Sequence, residues 1–305
     1  MLSRRSIRVK AMQVLFAKNR DKALSLQDTI NLYWSSIDHT FNMFLLNLYV
    51  LIEVTRMGLE DENTRKSKYL PTEEDKIFAA KIFRNPIVTT LDSNKNLRAK
   101  FEKLGFTTDV DNDIINKIYS YFSKEESYIN YWQTETKLND DIEMLLELYR
   151  FCRSNEFFNE LMEDNFYMWG SEKSIVIGTI KKVLKDKALS DSFYLDHYPD
   201  RVTTKEFGES LLIETDKAED KLDAMIVPNL ENWDKERVTI LDMILIKMAI
   251  TEFLEFETIP PKVTLNEYVE LSKNFSTEKS KEFVNGVLDK ILKELEEAGR
   301  IEKSV

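Results

Sequence analysis

EFVNGVLDKILKELEEAG (282–299) sets its aliphatic side chains at helical spacing. Val284, Val287, Leu288, Ile291 and Leu295 share one stripe, and Gly299 stands where such a helix would end. Ser276 or Thr277 can cap its start. Gly286 falls mid-helix, at a cost of roughly 1 kcal/mol relative to Ala, so a neighbouring helix or a ligand must come close to that backbone. Lys279 and Phe283, at i and i+4, put a cation beside an aromatic ring. Just upstream, Pro260–Pro261 enforces a turn, and Thr264 with Glu267 reads as a capping box opening a helix to about Asn274.

The same period runs through nearly all of the chain. Helical patterns cover 234–256 and 205–226, and DSFYLDHYPDRVTT (191–204) is the best candidate linker. Before it, shorter helices are expected at 73–84 (stopped by Pro86), 95–104, 111–122, 138–152, 155–165 and 172–187. A long one spans 27–58 and ends near Gly58, followed by the polar break DENTRKSKYLP (61–71). Residues 4–18 place Ile7, Ala11, Val14 and Leu15 on a buried face. Seven Gly and six Pro in 305 residues are few turn-formers, so the expected class is all-α. The most apolar run, MFLLNLYVLIEV (43–54), is too short to span a bilayer. The single cysteine, Cys152, excludes an intrachain disulfide and suits a reducing compartment.

Charge is distributed unevenly. The first 22 residues carry seven cations and one acid, in a chain whose net charge is −11. On helical geometry Arg5, Arg8, Met12 and Phe16 lie beside one another at the edge of the buried face. Cations in a first helical turn oppose the helix dipole and make better sense where an anion binds. Guanidinium groups beside an exposed ring are what single-stranded nucleic acid requires. A solvated basic helix start and an amphipathic presequence are the alternatives that the opening alone leaves standing. Signs of catalysis are thin. Asp109, Asp111 and Asp113 mimic the start of a calcium loop, but Ile114 replaces the required Gly, and helix capping is the better reading. His39 and His197 lack a second ligand at metal spacing, and WGSEKS (169–174) lacks the spacing of a phosphate loop.

Both ends together resemble the NusB transcription antitermination family. RRSIRVKAMQVLF (4–16) is similar to its Arg-rich first helix, and the run from NWDKERVTILDMILIKMAITEF through IPPKVTLNEYVELSKNFS to STEKSKEFVNGVLDKIL is the more specific match. EFGESLL to LDAMI (206–226) is a weaker one. The resemblance implies a NusB-like helical bundle with an additional helical region. Residues 1–22 and 200–298 would form a discontinuous RNA-binding core, and 23–199 an extra helical region of unknown role. It also implies a non-enzymatic, cytoplasmic factor without cofactor or metal. Such a factor binds boxA-type single-stranded RNA together with the ribosomal protein NusE, within the RNA polymerase antitermination complex. Carried over by position, Arg4, Arg5, Arg8, Phe16, Lys279, Phe283 and Asn285 would face RNA, and Glu236 and Asp242 would face NusE. Phe16 stands where the family commonly has tyrosine, which keeps stacking and loses a hydroxyl. Two rival readings are a helical interaction scaffold centred on 23–199 and a module associated with ribosomal RNA methylation. The latter needs a nucleotide-binding α/β domain, which is not expected in a chain that closes soon after its last helix.

Overall fold

The computed structural model describes residues 1–230 and 238–301, and among these every regular element is a helix. In chain order, α1 (Arg4–Arg20) and α2 (Leu26–Ser67) precede nine further helices, all shorter than α2. These are α3 (Glu73–Ile77), α4 (Pro86–Ser93), α5 (Lys95–Lys103), α6 (Phe106–Asp109), α7 (Asn112–Phe122), α8 (Glu126–Gln133), α9 (Leu138–Ser154), α10 (Glu156–Asn165) and α11 (Trp169–Lys185). A π-helical stretch, Val202–Glu209, leads into α12 (Ser210–Lys217) and α13 (Glu219–Ile226). The last three are α14 (Ile240–Glu255), α15 (Pro261–Phe275) and α16 (Ser280–Glu297). No described helix is long and apolar enough to cross a membrane. The chain divides into two compact units, 38–198 with Met1, and 2–37 with 199–305, so the division falls inside α2.

The unit formed by 38–198 is organised on α2. From Met43 to Val54 almost every side chain is buried, whichever way it points. A helix apolar on all sides must be surrounded, and here the helices that follow supply the cover. Its one buried amide is fully used: Asn47 Nδ2 donates to the Met43 carbonyl, and its Oδ1 accepts from the Tyr149 hydroxyl at 2.9 Å. α2 does not stop at Gly58. A Cβ there would make ordinary contact with Ile82 and Ala80, and the helix runs on to Ser67, carried by the i, i+4 pairs Arg65–Asp61 and Lys66–Glu62. The polar break is therefore confined to the residues after Ser67. Pro86 opens α4 at its first turn instead of ending a helix, with Asn85 as the cap. α8 has no counterpart in the sequence reading. Asp111 caps α7 by accepting from the Asp113 amide.

The other unit repeats the logic on α14, which packs against α1, α12, α13, α15 and α16. From Ile244 to Phe253 every side chain except that of Lys247 is buried. Thr239 and Asp242 form the capping box that opens it. α15 begins at Pro261, earlier than expected, because proline is tolerated at a first helical position. Thr264 and Glu267 then lie inside the helix, and their side chains are committed elsewhere. The stripe of α16 is buried as expected, and Gly299 closes it with φ +65°. The start of α2 belongs to this unit through the Tyr33 hydroxyl, which donates to the Thr204 carbonyl at 2.7 Å, and through Trp34, which donates to Glu209.

Candidate functional site

α1 buries Ile7, Ala11, Met12, Val14 and Leu15, which fixes the helix rotation and with it the direction of each arginine. Arg8 points inward and is 3 % exposed. Its Nε and Nη2 donate to the two oxygens of Glu252 on α14, at 2.8 and 2.6 Å. Glu252 also accepts from Thr264 Oγ1 at 2.7 Å and from the Tyr268 hydroxyl at 3.1 Å, so the buried carboxylate is well satisfied. Burial works against the Arg8 charge, but the hydrogen bonds and field of Glu252 outweigh it and hold its pKa above the ordinary value. Burial and Glu252 likewise push Tyr268 far above the usual phenol range. The expectation that Arg8 grips a ligand phosphate is corrected accordingly: Arg8 is the core half of an internal ion pair.

Arg5 is 54 % exposed and donates from Nε and Nη2 to Glu267 on α15, at 2.8 and 2.6 Å. The hydrogen bond from Arg5 holds Glu267 below the usual carboxylate range against the effect of burial, with help from the fields of Arg5 and Arg8. Arg8 Nη1 reaches the same carboxylate at 3.5 Å. Arg4 is exposed and has no ion pair among the described residues. Its guanidinium stands 5.5 Å from the centre of the Phe207 ring, with that of Arg8 5.1 Å from it. Phe207 is supplied by the π-helical stretch, which can approach α1 because its neighbour is Gly208. A Cβ at that position would stand 2.0 Å from the Tyr33 hydroxyl and 2.3 Å from Ile7 Cγ2.

The structure thus assembles Arg4, Arg5, Arg8, Phe207, Glu252, Glu267 and Tyr268 into one cluster. Phe16 is 38 % exposed, but it lies about 16 Å further along α1 than Arg5 at 1.5 Å per residue. Lys279 and Asn285 are exposed at the start of α16. Phe283 is 6 % exposed and belongs to the core, so it offers no open face for stacking. Asp242, expected on a partner-facing surface, is 1 % exposed. Its carboxylate caps α14 and accepts from Ser280 Oγ at 2.9 Å, tying the starts of α14 and α16 together. Glu236 lies outside the described residues. Near the other end of α1 a groove of about 430 Å³ is bordered by Leu15, Ile240 and Met243. Its charged edge pairs Lys18 with Asp216, and Lys247 with Glu219 and Asp223.

Phe207, Glu252 and Tyr268 carry no signal of their own in the sequence, whereas Glu267 reads both as a cap and as part of the Asn266–Glu267 pair in the family resemblance. The spacing of Glu267 three residues after Thr264 fits a cap and an internal contact equally well.

A family model described as NusB matches residues 172–293, which begins within α11 and takes in most of the second unit but not α1. The transcription antitermination protein NusB of Salinibacter ruber is 42 % identical over 102 residues, 33 % of this chain and 64 % of the relative. That of Chloroherpeton thalassium is 41 % identical over 83 residues, 27 % of this chain and 39 % of the relative. That of Bacillus mycoides is 41 % identical over 88 residues, 29 % of this chain and 68 % of the relative. The match to the first two therefore spans less than two thirds of their length. No solved structure matches the chain.

Proposed function

The chain belongs to the NusB family, and from that premise we propose that it is a non-catalytic transcription antitermination factor that binds boxA-type single-stranded RNA. In this reading it acts with NusE in the antitermination complex of RNA polymerase, in the cytoplasm. The observation that supports RNA binding is the pair Arg4 and Arg5, exposed on the first turn of α1 and backed by Phe207 and by the buried Arg8–Glu252 pair. Lys279 and Asn285, exposed on α16, and Phe16 on α1 are the further candidates for RNA contact.

Direct phosphate contact makes binding weaken with salt, at a log–log slope near −0.7 per contact on single strands. The test is a titration of a short boxA-like RNA at several salt concentrations, with the wild type and an Arg4→Ala/Arg5→Ala variant. Arg8 is left intact because its removal would unfold the site. The variant's slope should be shallower by about 0.7, the weight of Arg4, whereas the charge of Arg5 is largely offset by Glu267. Equal slopes for the two proteins would remove this surface from consideration. Capture of purified NusE with and without that RNA tests the partnership, and a ternary complex is the expected result.

A further inference from the structure

Arg5 is the outer end of a row of alternating charges: Arg5, Glu267, Arg8, Glu252. The inner pair is buried and cannot follow a ligand. Formally the row sums to zero, so this part of α1 attracts phosphate less than its arginines suggest. Glu267 occupies one edge of the Arg5 guanidinium, through Nε and Nη2. Of the five N–H donors three remain, and two of them, one on Nη1 and one on Nη2, form a second fork in a fixed plane. A half-exposed arginine without such a partner would be a mobile point of positive charge, attracted to any strand. Held by Glu267, it is an oriented donor pair with little net charge.

We propose that Glu267 is a specificity-determining residue: it cancels the attraction of Arg5 for arbitrary phosphates and fixes its outer fork for a defined phosphate or base edge of the cognate strand. The proposal rests on the RNA-binding reading above. Its physical basis is that sequence-independent affinity follows the number of cations free to replace counterions, whereas discrimination comes from oriented hydrogen bonds.

The experiment compares a boxA-like RNA with a scrambled strand of equal length, across a salt series, for the wild type, Glu267→Gln, Arg5→Lys, Arg5→Ala and Arg5→Ala/Glu267→Gln. Glu267→Gln should tighten the scrambled strand about fivefold at 0.1 M salt and steepen its slope by about 0.7, the weight of one freed cation. The preference for the boxA-like strand should shrink. In the Arg5→Ala background the same substitution removes a negative charge and should tighten both strands alike, leaving the preference between them unchanged. Arg5→Lys keeps the charge at a half-exposed position but cannot form the fork, and should also lose preference. That variant carries the test if circular dichroism shows that Glu267→Gln does not fold. A Glu267→Gln protein with wild-type slope and preference, or a loss of preference on Glu267→Gln that persists without Arg5, overturns the proposal. So does an Arg5→Lys protein that keeps the wild-type preference. A wild type that fails to bind the boxA-like strand, or binds both strands alike, sinks the RNA-binding reading itself and this proposal with it.

Discussion

Arg4 and Arg8 are one helical turn apart, yet one guanidinium stands in solvent and the other is 3 % exposed. Helical geometry places Arg8 at the border of the apolar stripe and cannot choose a side. The choice is made by Glu252, which is 244 residues away in sequence. Removing one member of a buried pair leaves a charge without compensation, so Arg8→Ala should cost about 3–5 kcal/mol, measured by urea unfolding. Arg8→Met combined with Glu252→Gln should recover much of that loss, because the amide oxygen still accepts from Thr264 and its N–H can donate to the Tyr268 hydroxyl. A second residue-scale expectation concerns acid. The hydrogen bond from Arg84 draws Glu62 down to about 2 against the effect of burial, with Lys66 and the Ala80 amide adding to it. Its ordinary value is 4.5, so between the two the unfolded chain binds more protons than the folded one. The stabilisation is complete above about pH 4.5 and is lost as the pH falls toward 2. Urea midpoints measured from pH 6 down to pH 3 should fall, and less steeply in Glu62→Gln.

At the scale of elements, the helices that could be read were those with one apolar stripe and clear ends, above all α16. The errors concern punctuation. Prolines 86 and 261 begin helices, because a missing N–H costs nothing in a first turn. Thr264 and Glu267 have the spacing of a capping box but serve Glu252 and Arg5. The π-helical stretch has no periodic signature of its own. What marks it is Gly208, whose missing Cβ admits Tyr33 and Ile7. Gly208→Ala should destabilise at or beyond the upper end of the usual overpacking cost of about 1–3 kcal/mol, read from thermal or urea unfolding. Because Phe207 is the adjacent residue, the same substitution should weaken binding of a boxA-like RNA at a temperature where the variant is still folded.

For the whole molecule, the informative feature is that the division between units falls between Ile37 and Asp38, inside an unbroken helix. The sequence reading ended the first core segment at Lys22, where the basic run stops. The turns of α2 that follow join that same unit, through Tyr33–Thr204 and Trp34–Glu209, partners some 170 residues away. The other boundary, at Tyr198–Pro199, falls inside the stretch expected to be a linker. Residues 38–198 contain their own apolar cluster around α2. Expressed alone, this segment should fold as a helical protein with one cooperative urea transition. A fragment lacking helical circular dichroism would mean that its core depends on the rest of the chain.

The amino-acid sequence alone determined the all-helical class, the resemblance of the C-terminal run and the place of the Arg-rich helix. Each of these is a local property, carried by spacing along a few turns. Tertiary structure alone decided which arginine faces solvent, which acid neutralises it, and that Asp242 and Phe283 turn inward. Those outcomes depend on burial and on Coulomb partners brought together from opposite ends of the chain, and no local period encodes them.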